Sequence, residues 1–274
     1  MRYVEFNFKV EDPDLHRDIL LAEISYLPFE SFEETNDGLK AFIPENQLDK
    51  SQVLELIHSK KYILKFSITE IEEVNWTEVW EKEYQPIMVE NQCLIRAPFH
   101  LDDPGFIHQV IIKPQMSFGT GHHDTTYLMV KHILNENVYN RSILDMGCGT
   151  GVLAILAELK GANPVWAIDI DEWAFKNTIS NCLLNGTENV SVKFGGKEEI
   201  PDRSFNLIMA NINKNILKAD METYVKHMED DAILLISGFF EVDVDDLKEV
   251  VEQNGLKVKR VDVKNEWALI KCSK

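Results

Sequence analysis

The stretch that decides the fold is residues 143–154, with the sequence ILDMGCGTGVLA. It begins as an apolar strand, passes through Gly147, Gly149 and Gly151, and continues into a predicted helix from Val152. Glycine adopts backbone conformations that other residues avoid, and it lets a ligand approach the chain without a Cβ in the way. The positive end of the following helix dipole points to the same place. This strand, turn and helix therefore predict a ligand site at the carboxyl end of a mostly parallel sheet.

The spacing of these glycines separates two classes of cofactor. Dinucleotide sites carry G-x-G-x-x-G, which would place the third glycine at position 152, where this chain has Val152. An NAD-dependent oxidoreductase is therefore disfavoured. The observed pattern starts at Asp145 and reads D-x-G-x-G-x-G, a form seen in methyltransferases that use S-adenosyl-L-methionine.

Polar residues follow two further apolar strands of the same region. Asp169 ends the run VWAID, twenty residues after Gly149, as expected for a carboxylate that bonds ribose hydroxyls. Asp171 is better placed to cap the next helix. Asn211 ends the run NLIMAN and would face the same crevice, although taken alone it is also an ordinary turn residue.

The order of predicted elements sets the fold class. From Thr125 onward, strands alternate with helices, and the last two strands are separated only by residues 264–266, which predicts a hairpin. Seven strands are expected there, near Ser142–Met146, Val165–Ile170, Val190–Phe194, Asn206–Ala210, Ala232–Ile236, Lys257–Val263 and Trp267–Lys271. The fold class is thus α/β, a Rossmann-like methyltransferase sheet with a C-terminal antiparallel hairpin.

The N-terminal region reads β-α-β-β-α-β, the order of a small ferredoxin-like α+β domain. Asp12-Pro13 predicts a capped helix start, Asn36-Asp37-Gly38 a hairpin turn, and residues 44–58 the second helix. Trp76 and Trp80, followed by Pro86, suggest a connector helix. We expect a ferredoxin-like domain over residues 1–72, the connector over 73–88, and the cofactor-binding domain over 89–274.

The charge balance narrows the choice of partner. The 28 Lys and Arg against 46 Asp and Glu give a net charge of −18, and no basic cluster stands out. Nucleic-acid binders usually carry a basic face, so direct nucleic-acid binding is not expected. An acidic surface suits a cationic partner, although acidity can also serve solubility alone. No apolar run is long enough for a membrane span and no secretory signal opens the chain, so a cytoplasmic location is expected.

A second loop, with the sequence PQMSFGTGHHDTT over residues 114–126, precedes a predicted helix. Its glycines and threonines can supply backbone and hydroxyl donors to a carboxylate, and Phe118 can lie against an adenine. The adjacent His122 and His123 invite a metal site. We predict no metal, because neighbouring residues rarely bind one ion without a third ligand in view.

These segments resemble the family of methyltransferases that modify large-subunit ribosomal protein eleven. That family carries a Phe-Gly-Thr-Gly-x-His-x-Thr-Thr loop, matched here by Phe118–Thr126, and a tryptophan-bearing connector ending in proline. Asp145–Ala154, Ile168–Asp171 and Ala210–Ile212 are similar to three further family motifs. After Ile212 the chain departs from the family, because Asn213-Lys214-Asn215 stand where leucine and small residues are usual.

The resemblance implies a function and a set of site residues. S-adenosyl-L-methionine would be the cofactor, and the reaction would methylate lysine or N-terminal amines of that ribosomal protein, with the N-terminal domain gripping the substrate. Asn211 would orient the acceptor amine. The expected cofactor contacts are Phe118, Gly119, Thr120, Thr126, Gly147, Gly149, Asp169 and Asn211. The alternatives are a methyltransferase acting on another protein, a small amine or RNA, and a cofactor-binding module without catalysis.

Overall fold

The computed structural model describes residues 2–71, 81, 84–114 and 122–274. The chain divides into two compact units, Met1–Glu83 and Tyr84–Lys274. Most of the predicted connector, including Trp76 and Trp80, lies outside the described residues. Its last two residues, Ile87 and Met88, belong to a strand rather than to a helix.

The first unit has the predicted β-α-β-β-α-β order. Its elements are β1 (Tyr3–Val10), α1 (Pro13–Ile24), β2 (Ser31–Thr35), β3 (Gly38–Pro44), α2 (Lys50–Ser59) and β4 (Ile63–Ile71). The antiparallel sheet has the order β2-β3-β1-β4. Alternate residues of β1, Phe6 and Phe8 among them, face a core shared with Leu20 and Ile24 of α1 and Ile57 of α2. The ferredoxin-like prediction is confirmed.

Two helix starts in this unit differ from their prediction. Asp12 lies at the N-cap position of α1 with a left-handed φ of 45°, and its side chain makes no capping hydrogen bond. The second helix begins at Lys50 instead of Pro44, because Asp49 accepts hydrogen bonds from the N–H groups of Ser51 and Gln52. Residues Glu45–Gln47 form a 3-10 turn before that cap.

The second unit contains a seven-stranded sheet and a three-stranded sheet. Its strands are β5 (Ile87–Val89), β6 (Cys93–Arg96), β7 (His108–Ile111), β8 (Ile143–Met146), β9 (Val165–Asp169), β10 (Val190–Phe194), β11 (Phe205–Asn211), β12 (Met228–Phe240), β13 (Lys257–Lys264) and β14 (Trp267–Ser273). Its helices are α3 (Asp124–Asn135), α4 (Val152–Leu159), α5 (Glu172–Asn185), α6 (Lys214–Lys226) and α7 (Val244–Gln253).

The large sheet has the order β10-β9-β8-β11-β12-β14-β13. Neighbours from β10 to β12 are parallel, while β14 pairs antiparallel with both β12 and β13, so the C-terminal hairpin is confirmed. One core contains residues of α3 and α4 on one side of the sheet, and a second contains residues of α6 and α7 on the other. Among the described helices, none has the length and apolar character required to cross a bilayer.

The topology places a crevice at one edge of this sheet. The chain order reverses between β8 and β11, which are neighbours although β9 and β10 intervene in sequence. Parallel strands bring their carboxyl ends to one edge, and open α/β sheets bind ligands where the strand order reverses. The residues that follow β8, β9 and β11 therefore meet there.

Candidate functional site

A cavity of about 640 Å³ lies at this edge of the large sheet. That volume is within the range of about 300–1,000 Å³ that is usual for small-molecule sites. Residues from the ends of β8, β9, β10 and β11 line it, together with parts of α6, β12 and β14. They include Gly147, Gly149, Asp169, Gly195, Gly196, Lys197, Asn211, Asn213, Asp220, Tyr224, Gly238 and Trp267.

The glycine turn takes the conformation that its sequence predicts. Gly147, Gly149 and Gly151 have φ values of 70°, 58° and 80°, all in the left-handed region. A Cβ on Gly147 would lie 2.2 Å from the Cγ2 of Ile212. The turn thus requires glycine for its backbone and, at Gly147, for the close approach of a second loop.

Asp169 joins the glycine turn to the end of β9. Its Oδ2 accepts a hydrogen bond from the N–H of Gly149 (2.8 Å), and its Oδ1 accepts one from the N–H of Asp171 (2.9 Å). Each carboxylate oxygen retains a further lone pair that can accept from a ligand. Asp171 caps α5 through the N–H groups of Trp173 and Ala174, as predicted.

Asp145 is a second, fully buried carboxyl group beneath the turn. Its Oδ2 accepts from the N–H of Ala154 (3.2 Å), and its Oδ1 has no hydrogen-bond partner within the described parts of the chain. Burial raises the pKa of Asp145 to about 7; the Ala154 hydrogen bond opposes this shift and the charge of Asp169 adds to it. Asp145 is not among the cavity-lining residues, whereas Asp169 is, and the carboxylate of Asp169 favours a cationic ligand.

Asn211 is held at the cavity wall by a close contact between β11 and β12. The N–H of Ile212 donates to the carbonyl of Ser237 (3.1 Å). The next residue, Gly238, has a φ of 96°, and a Cβ there would lie 2.3 Å from the carbonyl oxygen of Ile212. The buried Oδ1 of Asn211 has no partner among the described residues, so the cavity wall retains a free hydrogen-bond acceptor.

The residues after Asn211 supply a helix cap. The Oδ1 of Asn213 accepts from the N–H of Ile216 (3.2 Å) at the start of α6. The departure from the family pattern at residues 213–215 therefore has a local structural role.

The threonine-rich loop is described only from His122. Phe118, Gly119 and Thr120 lie outside the described residues, so their cofactor contacts stay predictions. His123 caps α3 and lines the cavity. The centroid of its ring lies 4.5 Å from the centroid of the Trp267 ring, in an edge-to-face arrangement. Thr126 is fully buried in α3 and is not among the cavity-lining residues; its Oγ1 has no partner in the described chain. Its predicted role stays a prediction.

Helix α5 supports the glycine turn with polar side chains that face inward. Asn177, Thr178 and Asn181 are buried, whereas Trp173 and Leu183 are exposed. The Thr178 hydroxyl donates to the carbonyl of Gly149 (2.9 Å) and the Nδ2 of Asn181 to that of Thr150 (2.8 Å).

The same helix also holds the segment around β7. The Oδ1 of Asn181 accepts from the N–H of Lys113 (2.9 Å), so this residue bonds both the glycine turn and the chain after β7. Asn185, one turn further along, bonds both the N–H and the carbonyl of Ile111 (2.8 and 2.7 Å). Asn181 therefore bonds both the glycine turn and the segment that leads into the threonine-rich loop, whereas, among the described residues outside its own helix, Asn185 bonds only β7.

We expect Asn181→Ala to lower both stability and affinity for S-adenosyl-L-methionine. The change leaves the Thr150 carbonyl without this donor and the Lys113 N–H without this acceptor, a cost of about 2 kcal/mol. Asn185→Ala is the matched control, since it also removes two hydrogen bonds to the backbone outside α5, but both of them are to Ile111 of β7 and neither is to the glycine turn. Thermal unfolding should show similar losses, and calorimetry should show weaker binding in the Asn181 variant alone. Equal affinities in the two variants would contradict this role.

Several cavity residues were not predicted from sequence. Gly195 and Gly196 follow β10 directly, and a pair of glycines at the end of a predicted strand could have been recognised from sequence as part of the site. Lys197 and Asp220 form an ion pair (2.6 Å), and Tyr224 lies one turn beyond Asp220 on α6. Neither these three residues nor Trp267 belong to a local motif, so only the tertiary structure identifies them.

Comparison with known proteins gives one consistent family. The model of the ribosomal protein L11 methyltransferase family (PrmA) matches residues 7–274. The ribosomal protein L11 methyltransferase of Bacteroides thetaiotaomicron is 39% identical and that of Porphyromonas gingivalis 40%, each over 99% of this chain and at least 97% of the relative. A crystal structure of ribosomal protein L11 methylase from Lactobacillus delbrueckii subsp. bulgaricus is similar over 70% of this chain and 99% of that one, with a TM-score of 0.66 and 25% identity. The chain therefore belongs to the ribosomal protein L11 methyltransferase family.

Proposed function

We propose that this protein transfers methyl groups from S-adenosyl-L-methionine to amine nitrogens of ribosomal protein L11. The observation that carries the proposal is the cavity at the sheet edge, where Asp169 and the unpartnered Oδ1 of Asn211 lie beside the glycine turn. Family membership over nearly the whole chain supports the choice of substrate.

The residues of the cavity fit a sulfonium nucleoside. The lone pairs of Asp169 suit ribose hydroxyls, and its carboxylate suits a ligand with positive charge. Gly149, which lines the cavity and carries no Cβ, would leave room for it, and the free acceptor of Asn211 suits a donor group. When bound, the cofactor supplies a methyl group already activated by the sulfonium.

The protein contributes to the reaction by aligning the methyl donor with the acceptor amine and by favouring the deprotonated form of that amine. A lysine with a pKa of about 10.4 must lose its proton to solvent before its nitrogen can accept a methyl group, at a cost of roughly 4–5 kcal/mol at pH 7. Removal of the amine from water lowers its pKa and offsets part of this cost. Asn211 orients the amine through its Oδ1, and fixed alignment of donor and acceptor is a large source of rate.

The first unit is assigned to capture of the substrate protein. Residues 1–70 contain 8 Lys and Arg against 14 Asp and Glu, a net charge of −6. This charge suits a cationic protein and disfavours RNA. The proposal places the reaction in the cytoplasm, where ribosomal proteins are made, and includes neither a nucleic acid nor a membrane as a direct partner.

A labelling experiment tests the proposal. The full-length protein is mixed with methyl-labelled S-adenosyl-L-methionine and unmodified ribosomes, with the Asp169→Ala variant as the control. We expect one labelled protein band, L11, and none with the variant. Acid hydrolysis should place the label on lysine or on the N-terminal amine. Label in the RNA, in a small-molecule fraction or in another protein would contradict the assigned acceptor.

A further inference from the structure

Helix α1 of the first unit is apolar on two sides. Its inner side packs Leu20 and Ile24 into the core, where both are fully buried. On the outside, Leu15 is 56% exposed, Ile19 is 40% exposed and Tyr26, in the turn after the helix, is 90% exposed. A surface helix needs only one apolar side to pack on its own core, and its opposite side is usually polar.

The exposed apolar residues form one continuous row. Positions 15, 19 and 22 of α1 are four and three residues apart, which places them on a single side of a helix with 3.6 residues per turn, and Tyr26 follows in the turn after the helix. We name Leu15, Ile19, Ala22 and Tyr26 the outer stripe; Ala22 is exposed like the others. Single exposed apolar residues are common on protein surfaces, but a contiguous row bordered by charge is typical of interaction sites.

Acidic side chains run along one border of the outer stripe. Glu11, Asp14 and Asp18 are exposed, and Asp14 and Asp18 each directly precede a stripe residue. Neither Asp14 nor Asp18 forms an ion pair with any part of the chain that the structure describes. The arginine of the helix, Arg17, instead bonds Glu34 and the carbonyls of Thr35 and Gly38.

We propose that the outer stripe and its acidic border are the surface on which the first unit binds the ribosomal protein substrate. The matching surface on the substrate would be an apolar patch edged by Lys or Arg. This inference rests on the proposed function and names the surface that carries out substrate capture.

Charge complementarity favours the ribosomal protein as the partner of the outer stripe. Proteins that bind ribosomal RNA carry lysine and arginine to neutralise phosphates, so the substrate supplies the cations that the border needs. A second copy of this chain would instead bring acidic borders together, and like charges across an interface are unfavourable. An apolar centre with a charged rim is also the usual composition of a protein–protein interface.

Binding of full-length variants to purified, unmethylated L11 tests the proposal. Calorimetry is performed with the wild type, with Leu15→Asp/Ile19→Asp, and with Asp14→Lys/Asp18→Lys. Leu183→Asp is the matched control, since Leu183 is 79% exposed on α5 of the other unit. We expect both double variants to weaken L11 binding at least tenfold and the charge-reversed variant to lose most of the salt dependence. The control should bind L11 like the wild type, and all four proteins should bind S-adenosyl-L-methionine equally.

The outcomes separate this inference from the proposed function. If the wild type binds L11 and Leu15→Asp/Ile19→Asp binds it equally well, the outer stripe is not the docking surface. If sedimentation shows that the stripe variants lose only self-association, its occupant is a second copy and the proposal is overturned. If the wild type neither binds nor methylates L11, the proposed function itself fails.

Discussion

Replacement of Asp169 by Ala is expected to weaken the binding of S-adenosyl-L-methionine by about 100-fold, or roughly 3 kcal/mol. The change removes the carboxylate proposed to accept from the ribose hydroxyls. It also removes the acceptor for the N–H of Gly149, so the glycine turn loses a bond that fixes its position. Isothermal titration of the purified variant with the cofactor measures the effect directly, without dependence on turnover.

Asp171→Ala is the matched control for this experiment. Asp171 is an acidic residue two positions away that also lines the cavity, but its side chain caps α5. Loss of the cap should cost about 1 kcal/mol of stability and change the affinity far less than Asp169→Ala does. Equal affinity losses in the two variants would remove the special role of Asp169.

Gly238→Ala should be the most damaging single-methyl substitution in the sheet that carries the site. Alanine is unfavourable at a φ of 96°, and its Cβ would lie 2.3 Å from the backbone oxygen of Ile212, which no rotamer change can relieve. We expect a loss of about 3 kcal/mol of stability, or roughly 6–12 °C in melting temperature. Because the displaced backbone follows Asn211 directly, methyl transfer should fall by more than cofactor binding does.

Gly255→Ala separates the two causes of this effect. Gly255 also has a positive φ, of 81°, but no heavy atom lies within 4 Å of the position that a Cβ would take. Its substitution should cost only about 1 kcal/mol, the conformational part. Scanning calorimetry of the two variants then gives the contribution of the close contact by difference, and similar melting temperatures would show that the contact has no effect.

The parts of the site at strand ends could be predicted from sequence. Gly147, Asp169 and Asn211 each follow a short apolar run, and parallel strands bring such positions to one edge of a sheet. The residues adjacent to each of these positions in the sequence were sufficient for the prediction. The ferredoxin-like order of the first unit was readable for the same reason, since alternation along β1 and the turn at residues 36–38 are local signals.

Other features depend on contacts that are distant in sequence. Gly238 lies within β12, and its requirement for glycine comes from the carbonyl of Ile212, 26 residues earlier. The pair of Lys197 and Asp220 joins two elements that no motif links. The start of α2 was misplaced for a local reason instead, because Asp49, five residues after the predicted start at Pro44, caps the helix through the N–H groups of Ser51 and Gln52.

The inward-facing amides and hydroxyl of α5 have a consequence for how this protein can vary. Apolar packing has little directional preference, so a helix held by it can shift when a neighbouring core residue changes size. Hydrogen bonds at 2.8–2.9 Å restrict both distance and angle, and those of Thr178 and Asn181 tie the helix to two backbone carbonyls of the glycine turn. When a substitution elsewhere in the core shifts α5, the glycine turn should therefore shift with it, so the geometry between the helix and the turn is preserved.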